Sequence, residues 1–361
     1  MNAKRAKRSS PVYLLTGGTG FLGRHVLNAV QARSAGRCIV LVRNADAWHS
    51  QPWTTELEDV DILEATLTDP DGVARALERA GIKTLSGVFH LAALVRHSRS
   101  ATEDIYRTNV DGTLGMLRVA SRYGARMVYA STSGVVGCFS REGDWADEHS
   151  AYQAEMIASW PYYHSKLTAE QRGRELAAEL GTQFVVLRPP VLLGPGDHRF
   201  RSSGHVLKML RGKLPFLIQG GMHFADVRDV SDAIVAAMQH PAPRDVYHLP
   251  GTACGIDTFF GMIEAVSGVP APKTVLPPSI ALAAAHAGAT VDRVLPGKKL
   301  ALPDPVVVEM ASKYWGLRSR WVEEELAFKN RPGIQTIADT VAWLRAHHPE
   351  LAPTADAARA A

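Results

Sequence analysis

Thr16-Gly17-Gly18-Thr19-Gly20-Phe21-Leu22-Gly23 constrains the fold of this chain more than any other segment. It follows a short apolar run, Pro11 to Thr16, and precedes Phe21 to Ala32, where apolar residues recur at helical spacing. Strand, glycine turn and helix in that order open a βα unit. Gly17 permits the tight turn, Gly20 lets the backbone approach a pyrophosphate, and Gly23 lets the helix pack closely on the sheet. The helix N-terminus then offers amide donors and the positive end of a dipole to phosphates. Glycine turns also close ordinary βα units, so the triplet takes its meaning from the strand before it and the helix after it.

The alternation continues along the chain. Arg37 to Arg43, Ser86 to Leu91, Ala125 to Ser131 and Thr182 to Leu187 read as strands; Asp69 to Ala80, Asp104 to Tyr123 and Trp160 to Leu180 read as helices. Near-continuous apolar strands between helices predict an α/β fold with a doubly wound parallel sheet of the Rossmann type. After Arg188 proline and glycine punctuate the chain, which predicts a smaller α/β substrate lobe. We expect a disordered basic tail over 1–10, a dinucleotide-binding domain over 11–190 with 221–240 returning to it, a substrate lobe over 191–350, and a disordered tail over 351–361.

At 361 residues, 46% hydrophobic and 21% charged, the chain has the composition of a folded globular protein. Its formal charge of +4 is matched by Lys4, Arg5, Lys7 and Arg8 in the tail, so a basic nucleic-acid groove within the fold is not supported. Cys38, Cys138 and Cys254 have no metal-ligand spacing, and so few argue for a reducing compartment. No secretory leader is legible, so the default expectation is cytoplasmic. The most apolar later stretch, Ile280 to Val291, falls short of the ~20 residues a spanning helix needs. It reads as a buried or surface helix, with an apolar substrate or a membrane surface as the alternative.

Two constellations carry chemistry. Arg43 ends the second strand, where a carboxylate would accept from a ribose hydroxyl; a guanidinium suits a 2′-phosphate instead. That favours NADP over NAD, with Arg24 in reserve, although a solvated surface arginine would look the same. Tyr162 and Lys166 lie four apart on one helical face, where an ammonium can favour the phenolate and make the pair a proton donor and acceptor. Ser131-Thr132-Ser133 closes the preceding strand and sets a hydroxyl at the carboxyl edge, where open α/β sheets bind ligands.

Together these features resemble the extended short-chain dehydrogenase/reductases, from Val12 to about Leu344. TGGTGFLG, the His90 to Ala93 segment HLAA, Asn109-Val110-Asp111-Gly112-Thr113, ASTSGVVG from Ala130, YYHSK, RPPVLLGPGD from Arg188 and FADVRDV from Phe224 carry the likeness. It implies Tyr162 as general acid/base, Lys166 as its partner and a ribose ligand, and Thr132 as the catalytic hydroxyl, with Ser133 the neighbouring alternative. It implies cofactor contacts at Gly17, Thr19, Gly20, Phe21, Leu22, Gly23, Ala92, Ala93, Pro189 and Val191. Asn109 would order the helix beside the site, whereas His90 and His164 read as structural. The acidic residue many members use to hold adenine is replaced by Thr66, followed by Leu67, with Asp61 as another candidate. The linker from Asn44 to Asp59, with Trp48 and Trp53, is longer than in the family and has no assigned role. A homodimer through the Asn109 and Tyr162 helices is the family's usual assembly.

Dehydratases of this fold place Asp-Glu directly after the catalytic Thr; here Ser133 and Gly134 stand there. Sugar-nucleotide members offer an arginine to the diphosphate where this chain has Gly220-Gly221-Met222-His223, although Arg199, Arg201 or Arg228 could substitute. The C-terminal third looks most like the dihydroflavonol-reductase and 3β-hydroxysteroid-dehydrogenase branch, whose apolar lobe suits a hydrophobic small molecule. The expectation is therefore NADP(H)-dependent interconversion of a secondary alcohol and a ketone or aldehyde. A nucleotide-sugar epimerase with tightly bound NAD is the alternative, and a non-catalytic dinucleotide sensor a remoter one.

Overall fold

A computed structural model describes residues 10–57, 60–100, 102–294 and 302–351. The expected basic tail therefore lies outside the described residues except for its last position, and the C-terminal tail except for its first.

Seven parallel strands form the main sheet: β1 (Val12–Thr16), β2 (Arg37–Val42), β3 (Val60–Glu64), β4 (Gly87–His90), β5 (Arg126–Ala130), β6 (Phe184–Arg188) and, further on, Val246–His248. In space they run β3-β2-β1-β4-β5-β6 and then Val246–His248 at the edge. The order reverses between β1 and β4, and this is the crevice in which sheets of this kind bind ligands. Alternate side chains leave a strand on opposite faces, so each strand needs two covers. Tyr13 and Leu15 enter one core with Val40, Phe89 and Val128; Leu14 enters the other with Ile39, Val88 and Met127. Helix α1 (Phe21–Ala32) covers the first face, and α2 (Pro70–Arg79), α3 (Gly112–Arg122) and α4 (Pro161–Leu180) cover the second.

The long helix expected over Asp104 to Tyr123 is present but not uniform. Thr102–Tyr106 and α3 are α-helical, and Arg107–Asp111 between them is a π-turn that contains Asn109. An extra residue in a turn re-aims the side chains around it, which is why such bulges concentrate at functional sites.

Beyond β6 the chain builds a three-stranded sheet from β7 (Val191–Leu193), β8 (Gly221–Asp226) and Thr252–Gly255, with β8 in the centre. Phe224 of β8 packs with Phe259, Ile337 and Val341 in a separate core. Helix α5 (Val227–Gln239) starts directly after β8 and packs on α1, and Val246–His248 then pairs with β6. The apolar stretch from Ile280 lies in α6 (Pro278–Val294), which buries Ala281 and Ala285 against Val308 and leaves Ile280 56% exposed. It is a surface helix, and no described helix is long and apolar enough to cross a membrane.

The linker after β2 has structure of its own. Trp48 and Trp53 are both buried and meet edge to face at 5.6 Å. Trp48 backs onto Gly18, where a Cβ would come within 3.4 Å of the indole, and Arg24 lies over Trp53 at 5.3 Å. The tryptophans thus brace the glycine turn, with Trp53 lining a small cavity beside Thr19 and Gly20.

Candidate active site at the carboxyl edge of the sheet

The glycine turn fits a dinucleotide pyrophosphate. Gly17 has φ +78°, and a Cβ there would sit 2.7 Å from the Ala92 amide nitrogen; one on Gly23 would sit 2.2 Å from the Gly17 carbonyl. Neither position tolerates a side chain. At Gly20 a Cβ would meet only the Gly17 carbonyl, at 3.1 Å, so the outer side of the turn is open to a ligand. Gly20 caps α1 without a side-chain hydrogen bond, and no acidic residue stands in the first turn. The amides of Phe21 and Leu22 therefore face the mouth of the turn as the donors an anion needs. Two cations stand near: Arg199 donates to Thr19 Oγ1 at 3.3 Å, and Arg24 bonds the His198 ring at 2.8 Å.

The remaining expected cofactor contacts spread along the same edge. The Ala92 amide donates to Thr16 Oγ1 at 3.2 Å, placing Ala92 and Ala93 beside Gly17. Pro189 follows β6 and accepts from the Ser133 amide at 2.8 Å, and Val191 opens β7 beside Phe224. Arg43 projects from the end of β2, exposed, with no hydrogen bond or ion pair to any described residue. Leu67 packs against α3, where a Cβ on Gly112 would lie 2.3 Å from its methyl. Thr66 and Asp61 are exposed.

Tyr162 and Lys166 stand on α4, and the Lys166 ammonium reaches the end of β5 two residues before Thr132. Pro161 at the start of α4 supplies a fixed φ where no amide bond is lost, and Tyr162 and Lys166 follow on its first two turns. The Lys166 side chain is almost wholly buried; its ammonium donates to the Ala130 carbonyl at 2.6 Å and lies 4.1 Å from the centre of the Tyr129 ring. Burial pushes its pKa down to about 7, and Glu170 one turn along opposes that shift. Burial also pushes Tyr162 up to about 12. The expected lowering of the tyrosine by its lysine is not seen: burial is the cause of the shift, and its direction is upward. Thr132 stands two residues beyond β5, buried, and its hydroxyl accepts from the Gly134 amide at 3.3 Å.

Asn109 is the hinge pin between the loop after β4 and α4. It accepts from the Leu94 amide at 2.7 Å and donates to the Leu94 carbonyl and to Ser165 Oγ at 3.1 and 2.9 Å; Ser165 in turn donates to the Tyr162 carbonyl at 2.6 Å. His90 is a structural link, bonded to Thr16 at 2.8 Å and Thr113 at 3.0 Å, with burial holding its pKa near 3. His164 is tied to the Tyr106 hydroxyl at 2.7 Å. Two groups escaped the sequence reading. His97 stands edge-on to Tyr162 at 5.7 Å with its Nδ1 buried and unbonded. Glu170 is fully buried beneath Lys166 and receives bonds from Ser131, Tyr152 and Arg188. Its spacing of four from Lys166 was the available clue.

The sequence profile of the NAD-dependent epimerase/dehydratase family matches residues 13–249. The chain belongs to that family. Within it, the chain is 29% identical over 346 residues to a protein from Synechocystis sp. provisionally named a dihydroflavonol 4-reductase, covering 93% of this chain and 95% of the relative. It is 30% identical over 210 residues to human 3 beta-hydroxysteroid dehydrogenase type 7, about 55% of each chain. Among solved structures, gox2253 superposes with a TM-score of 0.76 at 25% identity, over 93% of this chain and 98% of that one. The family and its reductase relatives identify an oxidoreductase of the extended short-chain type, with a cofactor of the NAD(P) class and a small-molecule substrate implied by the family.

Proposed function

We propose that the protein is an NADP(H)-dependent carbonyl reductase or alcohol dehydrogenase acting on a largely hydrophobic small molecule. The placement of Tyr162 and Lys166 four apart on α4, with the Lys166 ammonium bonded to the Ala130 carbonyl two residues before Thr132 and an open glycine turn at the same sheet edge, carries this reading. When bound, the nicotinamide supplies or accepts a hydride. In the reductive direction Tyr162 donates its proton to the carbonyl oxygen, and Thr132 hydrogen-bonds the same oxygen. Lys166, held by the Ala130 carbonyl, turns its charge toward the ribose and the tyrosine. Arg43, unbonded to any described residue, receives the 2′-phosphate. We assign 11–190 with 221–240 to cofactor binding and 191–350 to substrate binding.

Local packing weighs against the other chemistries of the family. A Cβ on Gly134 would lie 2.1 Å from the Tyr163 ring, so no acid can stand after the Thr132-Ser133 pair as a dehydratase requires. A Cβ on Gly220 would lie 2.0 Å from the Ala311 carbonyl, and His223 is buried and held neutral, with a pKa of about 3. That segment offers no cation to a sugar diphosphate. The test is a panel of ketones, aldehydes and nucleotide sugars assayed with NADPH and NADH. Reduction of apolar ketones, faster with NADPH, is expected; activity confined to a nucleotide sugar without net redox change would refute the proposal.

A further inference from the structure

Beneath Lys166 lies a charged cluster that the proposed mechanism does not use. Glu170 follows Lys166 by one turn of α4 and is wholly buried. Its carboxylate receives the Ser131 hydroxyl, the Tyr152 hydroxyl at 3.0 Å, and Arg188 through Nη2 at 2.6 Å and Nε at 3.2 Å. Arg188 is itself 5% exposed, bonds the His248 ring at 3.0 Å and lies over the Tyr152 ring at 5.0 Å.

Two of these donors adjoin a working segment. Ser131 immediately precedes Thr132, Arg188 immediately precedes Pro189, and the Ser133 amide bonds the Pro189 carbonyl. One carboxylate therefore fastens the ends of β5 and β6 to the helix that carries Tyr162 and Lys166. The charges also count out: two buried cations, Lys166 and Arg188, share one buried anion. A buried charge is tolerated only when paired, so with Arg188 neutralised a single positive charge remains, on Lys166. The other groups beside that ammonium are the Tyr129 ring on β5 and, stacked on that ring, His90 on β4, which burial keeps neutral.

We propose that Glu170 is a positioning residue for catalysis: it neutralises Arg188, sustains the ammonium form of Lys166, and fixes Thr132 and Pro189 against the tyrosine helix. The proposal rests on the reductase reading above and deepens it. A carboxylate at this distance from the chemistry acts through Lys166 and the two strand ends, never on substrate.

The test is Glu170→Gln, which keeps the shape and removes the charge. Turnover should fall ~10- to 100-fold, the scale of a small misplacement of reacting groups, while NADPH affinity stays within about 2-fold. The pH above which reduction slows should move down by about one unit, because Lys166 loses its proton earlier. Glu170→Asp should restore the pH limb while remaining slow. A second readout needs no cofactor. The folded lysine releases its proton near 7 against 10.5 for a free lysine. The added cost of holding that proton in the Gln variant is present at low pH and vanishes once both proteins are deprotonated. The melting-temperature gap between wild type and variant should therefore narrow from pH 6 to pH 9. An unshifted pH limb with a constant melting gap would reduce Glu170 to a structural ion-pair partner and overturn the proposal. If the single variant does not fold, Glu170→Gln with Arg188→Met leaves no unpaired charge in the cluster. By the same charge count the pH limb there stays near its wild-type position while turnover remains low, because Thr132 and Pro189 have lost their common anchor; wild-type turnover overturns the proposal. Failure of the reductase reading itself would look different, since wild type would then reduce no ketone.

Discussion

Arg43 follows β2 with its guanidinium exposed and no hydrogen bond or ion pair to any described residue, at the place the strand pattern expected. A guanidinium with its donors unengaged is ready for a phosphate at little cost. Charge-assisted bonds of this kind are worth ~1.5–3 kcal/mol, so Arg43→Ala should weaken NADPH binding by about 10- to 100-fold and leave NADH unchanged. Fluorescence titration with both cofactors checks this; equal losses for the two would remove Arg43 from the 2′-phosphate site. Glu170 is the opposite case. An acidic residue four positions after a lysine on a helix is ordinarily a surface pair. Its meaning depends on Arg188, Ser131 and Tyr152 arriving from elsewhere in the chain, and only the fold brings them together.

Among elements, βα units were the most legible, because a parallel strand buried on both faces leaves an apolar run and a glycine turn leaves little choice. Three elements were not. The helix over Asp104 to Tyr123 has periodic apolar residues throughout, so its pattern conceals the π-turn at Arg107–Asp111 that aims Asn109 at Leu94 and Ser165. The linker after β2 reads as an insertion, yet Trp48 and Trp53 form a buried brace behind Gly18. The Ala-rich helix α6 left surface and interior open by composition; its exposed Ile280 shows that only the Ala281 and Ala285 face is packed. In each case tertiary contacts, not local propensity, decide the outcome.

At the scale of the whole molecule, the parallel sheet supplies one working edge, and two helical layers and a smaller sheet hold side chains against it. Burial on that scale has an acid cost. His90 and His223 are pushed down to about 3, and His25, His205 and His248 to about 4, in each case chiefly by desolvation. The unfolded chain takes up protons on these rings near ~6.5, whereas the folded chain does so only near those lower values, so between them the unfolded state binds more protons. The stability from these groups is complete above ~6.5 and is lost as pH falls toward 4. Each such ring contributes up to about 1.4 kcal/mol per pH unit, so the melting temperature should fall steadily from pH 6.5 to 4.5. A flat profile over that range would mean the rings are hydrated in solution.

The proposed reduction turns on Tyr162, which moves the proton with Lys166 and Thr132 as its partners. Its most direct test is Tyr162→Phe, measured for NADPH affinity and for turnover on the best ketone of the panel. The hydroxyl is the only group removed, so NADPH binding should stay within about 2-fold while turnover falls ~10²- to 10⁴-fold, the usual loss of a positioned acid/base. Near-wild-type turnover in that variant would contradict the mechanism.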